Sequence, residues 1–249
     1  MALKGKKFKW FAITLSVLII LSGVGLYCYI DLIPSTITRK AHAPDPYFDK
    51  VYGHGIDLSH HNPEPNWDKL NVDFVILKAT EGSGFTDPTY RRRLRECRQR
   101  NIPVGAYHFF KASASQKAEF NKFKSVIGKD FDIIPVLDIE TRPKGVSKKE
   151  FQNRFRQFLI LFKKEYGCWP IIYAGEEFYL SNLKKTVDNV IVASGNKPLL
   201  WFGNIGRKYK KYALTPHIHQ AHIKHVKGIS AKIDYNELHC KMKDILYRH

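Results

Sequence analysis

The chain of 249 residues carries 41 Lys and Arg against 23 Asp and Glu, a formal charge of +18. It is long enough for one large domain with a well-buried core, or for two small ones. That charge points to a polyanionic partner, yet no interleaved basic and aromatic motif for nucleic acid appears, and neither a repeat nor a low-complexity block is present.

Residues 1–9 form a basic tail with Lys4, Lys6, Lys7 and Lys9. Residues 10–30 contain no charge and are long enough to cross a bilayer as a helix. Positive charge ahead of a first apolar segment keeps the N-terminus in the cytoplasm and sends the rest outward. A cleaved signal is the competing reading. It needs small residues at its exit, where Tyr27, Tyr29 and Ile30 stand instead, so an uncleaved transmembrane anchor in the lipid bilayer is expected. Residues 31–50, with Pro34, Pro44 and Pro46, read as a linker. The domain 51–249 is then placed in the periplasm or outside the cell membrane, where wall polymers bearing carboxylates and phosphates suit its charge. Cys97, Cys168 and Cys240 form an odd set at wide spacing, which implies no disulfide framework and no C-x-x-C metal site, although one bridge between an unidentified pair stays open.

Within the domain, apolar runs predict strands over 55–58, 74–79, 103–109, 133–139, 170–174, 190–193 with 199–202, 217–221 and 229–235. Several are apolar throughout, as strands covered on both faces are. Helices fall between them. Thr86-Asp87-Pro88 opens 89–100, Ser113-Ala114-Ser115-Gln116 caps 117–126, and Ser147-Lys148-Lys149-Glu150 precedes a stripe of Phe151, Phe155, Phe158, Leu159 and Phe162 that Gly167 ends. The stripe is read as core. The alternation argues for a parallel α/β barrel whose last third is mostly strand.

The acids cluster where such a barrel carries chemistry, at the C-terminal ends of its strands. Asp57, Glu81, the pair Asp138 and Glu140, and Asp234 each end a predicted strand. In Asp138-Ile139-Glu140 the two carboxylates lie on one strand face, Cα atoms roughly 6.6 Å apart. Like charges that close together split in proton affinity: Asp138 is expected to stay ionised and to raise Glu140, which suits general-acid cleavage of a glycosidic bond. The bland alternative is a solvated acidic strand end.

The ordered set His54-Gly55-Ile56-Asp57-Leu58-Ser59, Asp73 through Lys78-Ala79-Thr80-Glu81-Gly82, Gly105-Ala106-Tyr107-His108-Phe109, Pro135-Val136-Leu137-Asp138-Ile139-Glu140, Pro170-Ile171-Ile172-Tyr173 and Gly228-Ile229 through Asp234-Tyr235-Asn236 resembles the glycoside hydrolase family 25 lysozymes, also called Chalaropsis-type muramidases. The resemblance runs from about His54 to about Leu238. It implies a TIM-like (β/α)5(β)3 barrel and hydrolysis, with retention, of the β-1,4 bond between N-acetylmuramic acid and N-acetylglucosamine in peptidoglycan. It implies Glu140 as acid and then base, and Asp138 as the residue that steers the substrate's N-acetyl group or else attacks directly. Asp57 and Asp234 match the family's other two active-site acids. Tyr107, Tyr173, Gln220 and Trp201 are expected to bind sugar, while Glu81 either forms a lip of the groove or only holds a neighbouring loop.

Two departures from the family pattern stand out: His219-Gln220 replaces an aromatic-Gln pair, and the residues after Trp201 differ. His217 and His219 alternate on one face, followed by His222 and His225, but no carboxylate or cysteine stands at matching spacing, so no metal or other cofactor is expected. A monomer is expected. Two rivals stay open: a silent peptidoglycan-binding module, and a glycosidase acting on chitin-like chains.

Overall fold

The computed structural model describes residues 50–194, 197–206 and 213–248, all within the unit Pro46–His249. The basic tail, the expected span over 10–30 and nearly all of the linker lie outside the described residues. Among the described residues no helix is long and apolar enough to cross a membrane.

The apolar runs become strands that close a barrel. In chain order the strands are β1 (Gly53–Leu58), β2 (Phe74–Glu81), the two-residue β3 (Phe85–Thr86), β4 (Val104–Phe109), β5 (Val136–Asp138), β6 (Ile171–Ala174), β7 (Leu200–Gly203), β8 (Ile218–His225) and β9 (Lys232–Leu238). Parallel pairing runs from β1 through β2, β4, β5, β6 and β7 to β8. The last strand, β9, is antiparallel to both β8 and β1 and seals the ring. Strand β3 hangs on the edge of β2.

Helices α1 (Tyr90–Gln99), α2 (Gln116–Ile127), α3 (Lys148–Tyr166) and α4 (Lys184–Ser194) follow β2, β4, β5 and β6, and a short α5 (Met242–Ile245) ends the domain. Among the described residues the 59–73 link from β1 to β2 contains no helix, where the resemblance implies a β/α unit. Pro63 and Pro65 in that link remove backbone donors and bias the residues before them away from helical angles. The strand expected over 190–193 is instead the end of α4. Leu183, Val187 and Val190 are buried at helical spacing, and a short apolar run alone does not distinguish the two periods.

Capping explains two boundaries. Ser147 accepts from the Glu150 backbone N–H at 3.2 Å, and Gly167, at φ 72°, closes α3 with its own N–H on the Lys163 carbonyl. Helix α2 starts at Gln116, one residue earlier than expected, and is capped by Ser115 rather than Ser113. Glu119 accepts from the N–H groups of Lys111 and Ser113, both at 2.7 Å, which holds that stretch in a turn and leaves Ser115 as the cap.

The phenylalanine stripe of α3 is core, as expected: Phe151, Phe155, Phe158, Leu159 and Phe162 are fully buried between barrel and helices. Each such side chain contributes about 1.5–3 kcal/mol relative to exposure. A second cluster, with Phe74, Ile76, Val136, Ile171, Ile218 and Leu238, fills the barrel below the acids. Cys97, Cys168 and Cys240 are all free.

Candidate active site

The barrel mouth is a cavity of about 350 Å³ into which every expected site residue projects. Strand β1 supplies Asp57, β2 Glu81, β4 Tyr107, and β5 Asp138, with Glu140 two residues beyond its end. Strands β6, β7 and β8 supply Tyr173, Trp201 and Gln220, and β9 supplies Asp234. Asp138 and Glu140 therefore face the same way, as alternation along a strand requires.

Asp234 does not end its strand as expected. The strand spans Lys232–Leu238 and runs antiparallel, so Asp234 stands near its beginning rather than its end. Reversal of the strand puts that N-terminal end on the rim where the parallel strands finish.

Glu81 reaches the cavity through a defect. The β2–β4 register shifts between Lys78 and Thr80, and one extra residue resets the inward-outward alternation. Lys78 and Glu81, three apart, thus share a face, with Lys78 Nζ donating to Glu81 at 2.6 Å and Lys111 Nζ at 3.1 Å. Glu81 accordingly both lines the cavity and ties down the Lys111 loop. Burial raises its pKa, but the two ammonium groups outweigh that effect and hold it below the ordinary value.

The central acids repel one another in a dry setting. Burial, then the charge of Asp234, raises Asp57 to about 7, opposed by the Asn236 side-chain amide donating to it at 2.8 Å. Burial, then Glu140 and Asp57, puts Asp138 well above the carboxylate range. Desolvation against the cavity wall, then Asp234, raises Glu140, while Lys78 opposes. Burial also raises Asp234, against a hydrogen bond with Gln220. Expected as the member that stays ionised, Asp138 is the more strongly shifted of the pair, because it is 8% exposed whereas Glu140 lies at the open rim. Its Oδ1 is buried without a hydrogen-bond partner among the described residues.

Aromatic rings form the remaining wall. Tyr173 meets Trp201 edge to face with centroids 5.0 Å apart, and Trp201 Nε1 donates to Asn236 Oδ1 at 3.1 Å. Tyr107 and Tyr173 hold their phenol protons tightly, through burial first and the surrounding carboxylates second.

Sequence reasoning overlooked Ser59, His61, Lys78, Phe109, Lys111 and Val136, which also line the cavity. Lys78 left a legible signal. A lysine inside the apolar run of β2 has to face a polar site, since buried ammonium groups are paired. The others sit on loops or strand ends whose direction the sequence does not reveal.

A family model described as glycosyl hydrolases family 25 matches residues 56–220, from β1 to Gln220 on β8. The chain belongs to glycosyl hydrolases family 25. Within that setting, YegX of Escherichia coli strain K12 is 36% identical over 141 residues, 52% of this chain and 51% of that protein. The autolytic lysozyme of Clostridium acetobutylicum is 28% identical over 120 residues, 48% of this chain and 36% of that one. This chain thus spans about half the length of YegX and about a third of the autolytic lysozyme. The bacterial lysozyme from Streptomyces coelicolor shares the fold, with a TM-score of 0.65 at 22% identity over 77% of this chain and 94% of that chain. The family 25 barrel described above is therefore also seen in a solved lysozyme.

Proposed function

We propose that this family 25 member is a lysozyme that hydrolyses the β-1,4 bond between N-acetylmuramic acid and N-acetylglucosamine in peptidoglycan, with retention. The observation that carries the reading is the convergence of Asp57, Asp138, Glu140 and Asp234 on one open cavity walled by Tyr107, Tyr173 and Trp201. Rings suit the apolar faces of sugars, and a carboxyl of raised pKa keeps the proton that a leaving oxygen needs.

Glu140, at the accessible rim, donates that proton as the C–O bond breaks, and the substrate's acetamido oxygen closes on the anomeric carbon. Glu140 then takes a proton from water, which opens the cyclic intermediate from the face the leaving group left, opposite the acetamido oxygen. Asp138 receives the acetamido N–H on its unpartnered Oδ1, and that hydrogen bond favours its charged form. A buried carboxylate oxygen placed to take that N–H supports substrate assistance. Asp57 and Asp234 shape the field around the pair, and Gln220 and Glu81 hold the rim.

The test is digestion of purified peptidoglycan followed by mass spectrometry. Products with reducing N-acetylmuramic acid ends, lost in Glu140→Gln, support the proposal. Wall binding without cleavage, or cleavage of chitin-like chains alone, refutes it.

We propose further that residues 10–30 anchor the protein in the cell membrane, with 1–9 in the cytoplasm and a monomeric domain facing the wall. Support comes from the uncharged run and the lysines before it. A reporter fused after His249 should be active only outside the cytoplasm; activity inside would exclude this topology.

A further inference from the structure

The strands that hold Gln220 and Asp234 in the cavity carry a second group of side chains on their other face. Gln220 and Asn236 are register partners pointing inward, and alternation turns their neighbours His219 and Glu237, also partners, outward. The register shift between Gln220 and His222 adds one residue to β8 and returns His222 to the face of His219. His239, just past β9, folds back onto the same group.

Three imidazoles thereby converge on one carboxylate. His219 Nδ1 lies 3.8 Å and His239 Nε2 3.5 Å from Glu237 Oε2, while His222 Nε2 lies 4.0 Å from Glu237 Oε1. One donor atom each from His219, Glu237 and His239 falls within a span of 4.8 Å. Two ligand atoms on a tetrahedral zinc ion, with bonds of about 2.0–2.1 Å, stand about 3.3 Å apart. Closing the widest separation by up to about 1.5 Å would bring these three to that spacing, which side-chain rotation can supply without a change of strand register. An ion pair would need one histidine; imidazole nitrogens with a carboxylate oxygen are a donor set for zinc-class ions.

We propose that His219, Glu237 and His239 bind a divalent transition ion of the zinc class on the outer face of the β8–β9 ladder, and that the exposed His222, 4.0 Å from the other Glu237 oxygen, turns in as fourth ligand. A four-ligand site of this kind is closed and structural. It clamps the antiparallel strand that seals the barrel and, through the same backbone, fixes Gln220, Asp234 and Asn236 at the cavity. The sequence pattern concealed it because the carboxylate comes from the neighbouring strand, and His217 is engaged elsewhere, accepting from the Leu200 N–H at 3.1 Å.

The experiment uses the full chain in mild detergent, stripped with a chelator and titrated with zinc chloride by calorimetry, with cobalt(II) spectra as a second readout. We expect one equivalent of zinc bound, a higher melting temperature, and the intense visible absorption of tetrahedral cobalt. Glu237→Gln and His239→Ala should each weaken binding by at least about 10–100-fold, the range seen when supporting groups alone are lost. Should both of these variants fail to fold, His222→Ala, on an exposed side chain, decides: weaker zinc binding supports the site and unchanged affinity overturns it. No saturable binding by the folded wild type, or wild-type affinity in folded Glu237→Gln and His239→Ala, also overturns the proposal.

Discussion

The side-chain amide of Asn236 donates to the Asp57 carboxylate at 2.8 Å, joining the antiparallel closing strand to the first strand inside the barrel mouth. That bond favours the ionised form of Asp57, yet burial and Asp234 prevail and raise the group from 3.8 to about 7. Raised in the folded state, Asp57 contributes stability that is complete below about pH 4, drains away as pH climbs to about 7, and changes no further. Asp57→Asn removes that dependence while keeping an acceptor for Asn236. In thermal melts from pH 4 to pH 7, the wild type should lose ground to the variant; a constant or opposite gap would contradict the argument.

Glu140→Gln should lower peptidoglycan hydrolysis by about 10²–10⁴-fold, the usual contribution of a positioned general acid. Because the side chain is exposed, unfolding should change by no more than about 0.5 kcal/mol. Turbidity loss of cell walls alongside denaturant unfolding reads both quantities. A stable variant that retains turnover removes Glu140 from the mechanism.

Lys78 pulls the pKa values of both Asp138 and Glu140 downward. Lys78→Met therefore moves them up, and the alkaline limb of the kcat/KM profile should shift to higher pH. The change also frees Glu81 from its 2.6 Å partner, so the Lys111 loop should become more sensitive to protease. An unmoved limb means that Lys78 does not set the protonation of the pair.

Two glycines separate fold from site. A Cβ at Gly55 would stand 2.3 Å from the buried Phe74 ring, and one at Gly203 would stand 2.2 Å from the Tyr173 hydroxyl. Gly55→Ala should cost about 1–3 kcal/mol of stability through overpacking. Gly203→Ala should displace the Tyr173 hydroxyl and raise KM for wall fragments, with a smaller loss of stability because that hydroxyl borders open cavity. Equal melting temperatures with unchanged KM would show that neither contact matters.

Much of the site was legible because its logic is local. The acid pair Asp138 and Glu140 shares a face by backbone geometry alone, and the rule that barrel chemistry sits at strand ends collected Asp57 and Glu81, while the aromatic wall was implied by the family resemblance. The phenylalanine stripe and Gly167 located α3 for the same reason, since a helical period and a left-handed cap are written in adjacent residues. Asp234 was correctly placed at the rim on a mistaken premise, because nothing near it in the chain reveals the direction of its strand.

Composition and periodicity alone therefore determined most of the strands, most of the helices and the identity of the acids, all properties of residues within a few positions of one another. Only the tertiary structure decided the rest. It set the reversal of β9 and the two register shifts that turn Glu81 inward and His222 outward. It also left Asp138 harder to ionise than Glu140. Those outcomes depend on which distant side chains exclude water and which strand lies alongside, and such distances exist only once the barrel has closed.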